Sequence, residues 1–397
     1  MKKKIAVLTA TRAEYGLLRR IIIALNNAVE FEAEVVVTGA HLSPEFGLTY
    51  QDIQNDDIPI ARKIEILLSS DTPTGISKSM GLAMISFAEY FDESMPDALM
   101  VLGDRYETLA VCCAAMNARI PIVHLYGGET TEGAVDEAIR HSITKMSYLH
   151  FTATEQYRRR VIQLGEHPDR VFTIGAMGIE NILTTKLLSK EMLEESISFS
   201  LDWPYAVVTF HPVTLESESA EVQFTELLNA FAKHGEMKYI FTKANADTGG
   251  RVINQMIEEY VSENDNAICF ESLGSLRYLS AVKYSSMVIG NSSSGLLEVP
   301  SLKIPTINIG DRQKGRMQAD SVIQCPADAV EIDRAMQLAC SKGFRGKIAD
   351  VKNPYGDGKT SERIVEILKD TFVYHKVDLK KKFYDLPMDG NVGGFTV

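Results

Sequence analysis

Short runs of Val, Ile, Leu and Ala punctuate the chain, each followed by a stretch in which apolar residues recur at helical spacing. In the first half the runs are Ile5–Leu8, Val35–Thr38, Ala98–Leu102, Ile120–His124, His150–Ala153 and Val171–Ile174. In the second half they are Ala206–Phe210, Tyr239–Thr242, Ala267–Phe270, Met287–Ile289, Thr306–Ile309 and Val322–Ile323. Continuous apolar runs, as opposed to alternation, predict parallel strands covered on both faces. Leu17, Leu18, Ile21, Ile22 and Leu25 predict an amphipathic helix after the first of them. Strand and helix in alternation predict a doubly wound α/β fold.

The series restarts near Trp203-Pro204, after a charged segment, Lys186 to Glu195, that carries no strand signal. The pattern therefore predicts an N-terminal Rossmann-like domain over 1–180, a linker over 181–202 and a second Rossmann-like domain over 203–360. Residues 361–397 are left as a C-terminal helix (Glu362–Phe372) and a tail, with Lys380-Lys381-Lys382 read as a solvated surface segment. Two such domains in tandem are expected to face each other across a cleft lined by the carboxyl ends of their strands, where open α/β sheets bind ligands.

Composition narrows the function classes. With 397 residues, 45% hydrophobic and 24% charged, the chain reads as a soluble globular protein too long for one core. A net charge of -12 argues against nucleic acid or an acidic membrane as the main partner. No run approaches the ~20 apolar residues of a membrane span. The lysine-rich start does not read as a signal peptide, because Arg12 and Glu14 cut its apolar run short. Cys112, Cys113, Cys269, Cys325 and Cys340 show no CxxC spacing, which fits a reducing cytoplasm. HExxH, a Cys/His cluster and DxD are missing, so no metal is expected. The first strand is not followed by GxGxxG, so no nicotinamide dinucleotide or other cofactor is expected either.

Candidate chemistry gathers at predicted strand ends. Thr9 to Gly16 forms a strand-to-helix turn in which Arg12 and helix-start N–H groups can hold an anion. Gly103-Asp104-Arg105 closes an entirely apolar strand, and a carboxylate there can act as a general acid or base. The competing reading of Asp104 is a helix N-cap. Gly127-Gly128-Glu129 lets backbone approach a ligand closely, and Asp136, Glu137 and His141 follow, with Glu137 and His141 on one helical face. In the second half His211 ends a strand, and Asn245 lies in the loop after the next one. Gly290-Asn291-Ser292-Ser293-Ser294-Gly295 leads from a strand into a helix, where hydroxyls and unpaired N–H groups make a nest for a diphosphate. Glu298, about one turn on, can accept from ribose hydroxyls, and Arg312 adds a cation after the following strand.

Together these motifs, with Thr11-Arg12-Ala13-Glu14-Tyr15-Gly16, Asp136 to His141, Asn245 to Gly249 and Gly310 to Arg316, resemble the hydrolysing UDP-N-acetylglucosamine 2-epimerases of bacterial sialic acid synthesis. The resemblance spans essentially the whole chain. It implies a GT-B fold with UDP mainly on the second domain, an amino sugar toward the first, and a homodimer. It implies that Asp104 and Asp136 are catalytic acids, that Ser292 and Glu298 bind nucleotide, and that Arg12 and His211 lie on the phosphate side, with His211 counted among the catalytic residues. Ser293, Ser294, Gly295, Asn245 and Arg312 join them as substrate-side residues. Two departures matter: Tyr126 stands where some relatives carry a catalytic Glu, which makes Glu129 the candidate for that work. Leu17 stands where the non-hydrolysing branch carries Lys, which favours the hydrolysing branch. The implied reaction turns UDP-N-acetylglucosamine and water into N-acetylmannosamine and UDP. The rival readings are a 2,4-diacetamido-trideoxy sugar nucleotide as substrate, or a glycosyltransferase of the same fold.

Overall fold

The computed structural model describes residues 2–68, 72–130, 136–212, 220–244 and 250–386. The chain divides into two compact units, Met1–Glu180 with Gly358–Val397, and Asn181–Asp357.

The first unit holds seven parallel strands: β1 (Lys3–Thr9), β2 (Phe31–Thr38), β3 (Ile60–Ile64), β4 (Ala98–Leu102), β5 (Ile122–Leu125), β6 (Leu149–Thr152) and β7 (Val171–Thr173). Their order is β3-β2-β1-β4-β5-β6-β7. Alternate side chains of one strand feed two different cores. Ile5, Val7, Val35, Val37, Met100 and Val123 pack with the helix Arg12–Asn27. Ala6, Leu8, Val36, Leu99, Val101 and Ile122 pack with the helices Pro73–Ser94 and Tyr106–Asn117. Each buried Val or Ile contributes about 1.5–3 kcal/mol, and this two-sided demand is why the strands read as unbroken apolar runs. β3 escaped that signal because it is an edge strand whose Ala61, Arg62 and Lys63 are exposed.

The second unit repeats the plan with β8 (Tyr205–Thr209), β9 (Lys238–Thr242), β10 (Ala267–Phe270), β11 (Met287–Gly290), β12 (Thr306–Ile309) and β13 (Val322–Cys325). All pair in parallel, in the order β10-β9-β8-β11-β12-β13. Two Rossmann-like units in one chain are the components of the GT-B fold. In each unit the strand order reverses at one place, beside β1 and β4 in the first and beside β8 and β11 in the second. Loops leaving such a pair diverge to opposite faces of the sheet and open a crevice at the carboxyl ends.

Two segments differ from expectation. Residues 181–202, expected as a linker, contain the helix Lys190–Ile197, which is capped by Ser189 and buries Leu193 and Ile197 with Leu201, Tyr205 and Val207 in the second unit. Its short apolar stripe is diluted by the charges of its exposed side. The tail is not simply solvated either. Lys380 and Lys382 are exposed, but the Lys381 side chain is 24% exposed and pairs with a buried carboxylate of the first unit. The helix Thr360–Leu368 and its continuation to Tyr374 bury Ile364, Leu368 and Phe372 in the core of that same unit. Among the described residues no helix is long and apolar enough to cross a membrane.

Candidate active site

The first unit assembles its candidate residues around one buried arginine. The helix Asp136–Met146 is anchored to the sheet by Ile139 and Ile143, which places Arg140 inward with only 6% of its side chain exposed. The guanidinium pairs with Asp104, donates to the backbone carbonyl of Glu129 at 2.8 Å and reaches Glu137 Oε2 at 3.3 Å. Three loci separated in sequence are thus fixed by one planar fork, a geometry that a lysine's point charge does not reproduce. Glu137 also binds His141 Nε2 at 2.9 Å, the shared helical face expected from their spacing. Asp136 is exposed at the first position of the same helix.

Asp104 does not cap the following helix. The N-cap of Tyr106–Asn117 is Arg105, with no side-chain bond, and the Asp104 carboxylate is turned to Arg140. The backbone before it is also held. His124, at the end of β5, lies 2.9 Å from the Gly103 carbonyl through Nε2 and 3.2 Å from Thr144 Oγ1 through Nδ1. A carbonyl only accepts, so Nε2 carries the proton. Burial keeps the ring neutral, with its pKa pushed down to about 3.

Tyr126 takes a left-handed backbone (φ 67°) and its phenol oxygen accepts from the Met177 N–H at 2.7 Å, at the start of the helix Met177–Thr184. Burial, and then the charge of Glu129, push the phenol well above its ordinary pKa. The Gly-Gly turn before Glu129 serves the protein's own packing. A Cβ on Gly128 (φ 83°) would fall 2.4 Å from the Tyr157 carbonyl oxygen, whereas the sequence suggested room for a ligand.

Arg12 sits at the first turn after β1, adjacent to β4, and its side chain is 77% exposed, with Nε 3.2 Å from Asp52. The same segment contains a capping box that the sequence shows as Thr11-x-x-Glu14: Thr11 Oγ1 accepts from Glu14 N, and Glu14 Oε2 accepts from Thr11 N at 3.1 Å and from Ala10 N at 2.8 Å. Burial pushes the Glu14 carboxyl up to about 7 against these donors, with Glu107 raising it further and Arg105 opposing. The ordinary value is 4.5. From there up to about 7 the folded chain holds a proton that the unfolded chain has lost. This contribution to stability is full below the ordinary value and is lost as pH rises through 7. The urea midpoint should therefore fall between pH 5 and 8 more steeply in the native protein than in Glu14→Gln, whose amide oxygen keeps both N–H partners. Identical pH slopes for the two proteins would refute the assignment.

The second unit gathers its residues around Asn291, which is 1% exposed at the end of β11. Asn291 clamps the His211 backbone, accepting from His211 N at 2.7 Å and donating to His211 O at 2.7 Å. Its own carbonyl accepts from Arg312 at 3.1 Å and Gln313 at 2.8 Å. Ser294 donates to Glu298 Oε2 at 2.5 Å and accepts from Tyr278 Oη at 2.8 Å. Ser292, Ser293 and Ser294 are partly exposed. The helix expected after this turn is a single turn, Ser294–Leu297, with Glu298 at its C-cap and Pro300 in the 3-10 turn that follows. Gly295 packs against β12, where a Cβ would meet Thr306 Cγ2 at 2.7 Å, so its lack of a side chain is a packing requirement. Asn245 lies outside the described residues.

Both groups occupy the switch points: Arg12 and Asp104 follow β1 and β4, and His211 and Asn291 follow β8 and β11. The sequence profile of UDP-N-acetylglucosamine 2-epimerases matches residues 23–369. The chain belongs to that family. It is 43% identical over 345 residues, 87% of this chain and 89% of the relative, to the GDP/UDP-N,N'-diacetylbacillosamine 2-epimerase (hydrolyzing) of Campylobacter jejuni. It is also 43% identical over 390 residues, 97% of this chain and 98% of the relative, to polysialic acid biosynthesis protein P7 of Escherichia coli. Among solved structures, the UDP-GlcNAc 2-epimerase of Neisseria meningitidis bound to UDP-GlcNAc shares the fold with a TM-score of 0.77 at 20% identity, over 93% of this chain and 100% of that one. Membership in this family makes nucleotide sugars the substrate class. The residue that organises each group carries no signal of that role in the sequence: Arg140 stands among acids between Asp136 and His141, and Asn291 between a glycine and three serines.

Proposed function

We propose that the protein is a hydrolysing 2-epimerase that converts UDP-N-acetylglucosamine and water to N-acetylmannosamine and UDP. The observation that carries this reading is the acid group at the first unit's switch point, where buried Arg140 fixes Asp104 and the Glu129 backbone and its helix begins with Asp136. The C2 proton of the sugar is far too weakly acidic to leave alone. Departure of UDP builds positive charge at C1 and lowers the cost of losing it. Arg12, His211, the Ser292–Gly295 turn and Arg312 stabilise the leaving diphosphate. One carboxylate of Asp104, Glu129 and Asp136 takes the C2 proton, giving a 2-acetamidoglucal. Water then adds at C1 while a second acid protonates C2 on the opposite face. Atoms balance without a redox partner. Free cysteines and a nucleotide-sugar substrate support a cytoplasmic location.

A second substrate has a specific observation behind it. The Campylobacter relative is named for N,N'-diacetylbacillosamine, so the corresponding 2,4-diacetamido-trideoxy sugar nucleotide is the alternative. Incubating the enzyme with each nucleotide sugar in D2O, without acceptor, and identifying the free sugar by NMR tests both. The expected product is N-acetylmannosamine with deuterium at C2. A free diacetamido-trideoxy sugar from its own nucleotide alone would move the assignment to the alternative. Protium retained at C2 would exclude the elimination route.

A further inference from the structure

The tail after the last helix returns to the end of the candidate-site helix that lies farthest from its acids. We propose that Lys381 is a positioning residue, which holds the C-terminal end of the helix Asp136–Met146 and thereby the placement of Asp136, Glu137, Arg140 and His141. The proposal rests on the reading that the first unit supplies the acid–base groups.

Lys381 Nζ donates to the carbonyls of Lys145 at 3.0 Å and Ser147 at 2.6 Å, which flank Met146, the last residue of that helix. The last carbonyls of a helix have no partner within it, and they carry the negative end of its dipole. A cation placed there satisfies both demands. The same ammonium lies 2.6 Å from Glu166 Oε2. Glu166 is 1% exposed and also takes Lys145 at 2.7 Å and His150 Nε2 at 3.0 Å. Burial alone would raise the Glu166 carboxyl, but His150, Lys145 and Lys381 outweigh it and hold it at about 2. His150 on β6 is in register with His124 on β5, the residue that holds the carbonyl before Asp104. The Lys381 cluster therefore touches the helix of the acid group and β6, the strand paired with β5.

The tail is seated for this task. Tyr384 N donates to the Gly165 carbonyl at 3.0 Å, and its ring meets His167 edge-on with centroids 5.3 Å apart. The Phe383 ring fills the space that a Cβ on Gly165 would take, with the nearest ring atom 2.3 Å from it. An exposed lysine pair contributes little. This one is largely buried, and its loss takes one of three partners from Glu166 and removes the donor from two carbonyls at once.

The test compares full-length Lys381→Met, Lys381→Arg and Lys382→Met by hydrogen exchange over 136–146 and by kcat and KM. Lys381→Met should speed exchange through that helix and lower kcat by roughly ten- to hundredfold, the scale of a misplaced reacting group. Its KM should change far less. Lys381→Arg should recover most of both, and Lys382→Met, one residue on and exposed, should match the native protein. Native exchange over 136–146 in Lys381→Met overturns the proposal, as does a loss of kcat shared equally by Lys382→Met. If Lys381→Met does not fold, Lys381→Gln, which keeps a donor without the charge, is judged by the same criteria. If the native enzyme turns over neither nucleotide sugar, the functional reading fails and the exchange result alone decides the role of Lys381.

Discussion

Asp104→Asn should lower kcat by about 10²–10⁴-fold, the usual contribution of a general acid–base group, while UDP affinity stays at its native value. The substitution keeps the size of the side chain and an oxygen that can accept from Arg140, so the contact to the guanidinium is kept and the charge is removed. Glu298→Ala should behave in the opposite way. Glu298 accepts from Ser294 beside the proposed nucleotide turn, and a contact to ribose present in ground and transition states alike shows mainly in KM. Its loss should amount to about 1–3 kcal/mol in UDP binding. Measuring kcat, KM and UDP affinity for both variants decides the matter. Loss of kcat in Glu298→Ala with intact UDP binding, beside a near-native Asp104→Asn, would reverse the assignment of chemistry and binding.

Arg140→Met should cost both stability and turnover. Its side chain is 6% exposed and its partner Asp104 is 23% exposed. Removing one member of a buried ion pair leaves the other desolvated and uncompensated, at a cost of roughly 3–5 kcal/mol. The Glu129 carbonyl loses its donor at the same time. Arg140→Lys should restore part of the stability through its charge but little of kcat, because an ammonium cannot span Asp104, Glu129 and Glu137 together. The checks are a denaturant titration and steady-state kinetics. A methionine variant within about 0.5 kcal/mol of the native protein, the range of an ordinary surface substitution, would show that the arginine does not organise the group.

The strand-by-strand plan was legible because a sheet covered on both faces demands apolar side chains at every position. Ala98–Leu102 is wholly buried, and so is Tyr205–Thr209. β3 was not legible, since an edge strand with Arg62 and Lys63 exposed makes no such demand. The helix Lys190–Ile197 was hidden for a related reason: eight residues carry only a few apolar positions, and four charges surround them. At the candidate site, the residue types at strand ends were readable, whereas the residues that tie them together were not. Asp104 meets Arg140 across 36 positions, and Asn291 meets His211 across 80. Nothing local in the sequence announces such pairings. The glycines of both turns drew a ligand-centred reading, although the close approaches at Gly128 and Gly295 are to Tyr157 and Thr306 of the chain itself.

The division of the chain into Met1–Glu180 with Gly358–Val397, and Asn181–Asp357, sets an order of events during synthesis. The second unit is one uninterrupted stretch and has all its residues once position 357 has left the ribosome. The first unit, although it begins the chain, waits for the helix Thr360–Leu368 to cover its core and for Lys381 to reach Glu166. The half that is translated first is therefore the half completed last, and a chain stalled a few residues short of Lys381 would display a finished second unit beside an acid group whose supporting helix still lacks its final anchor.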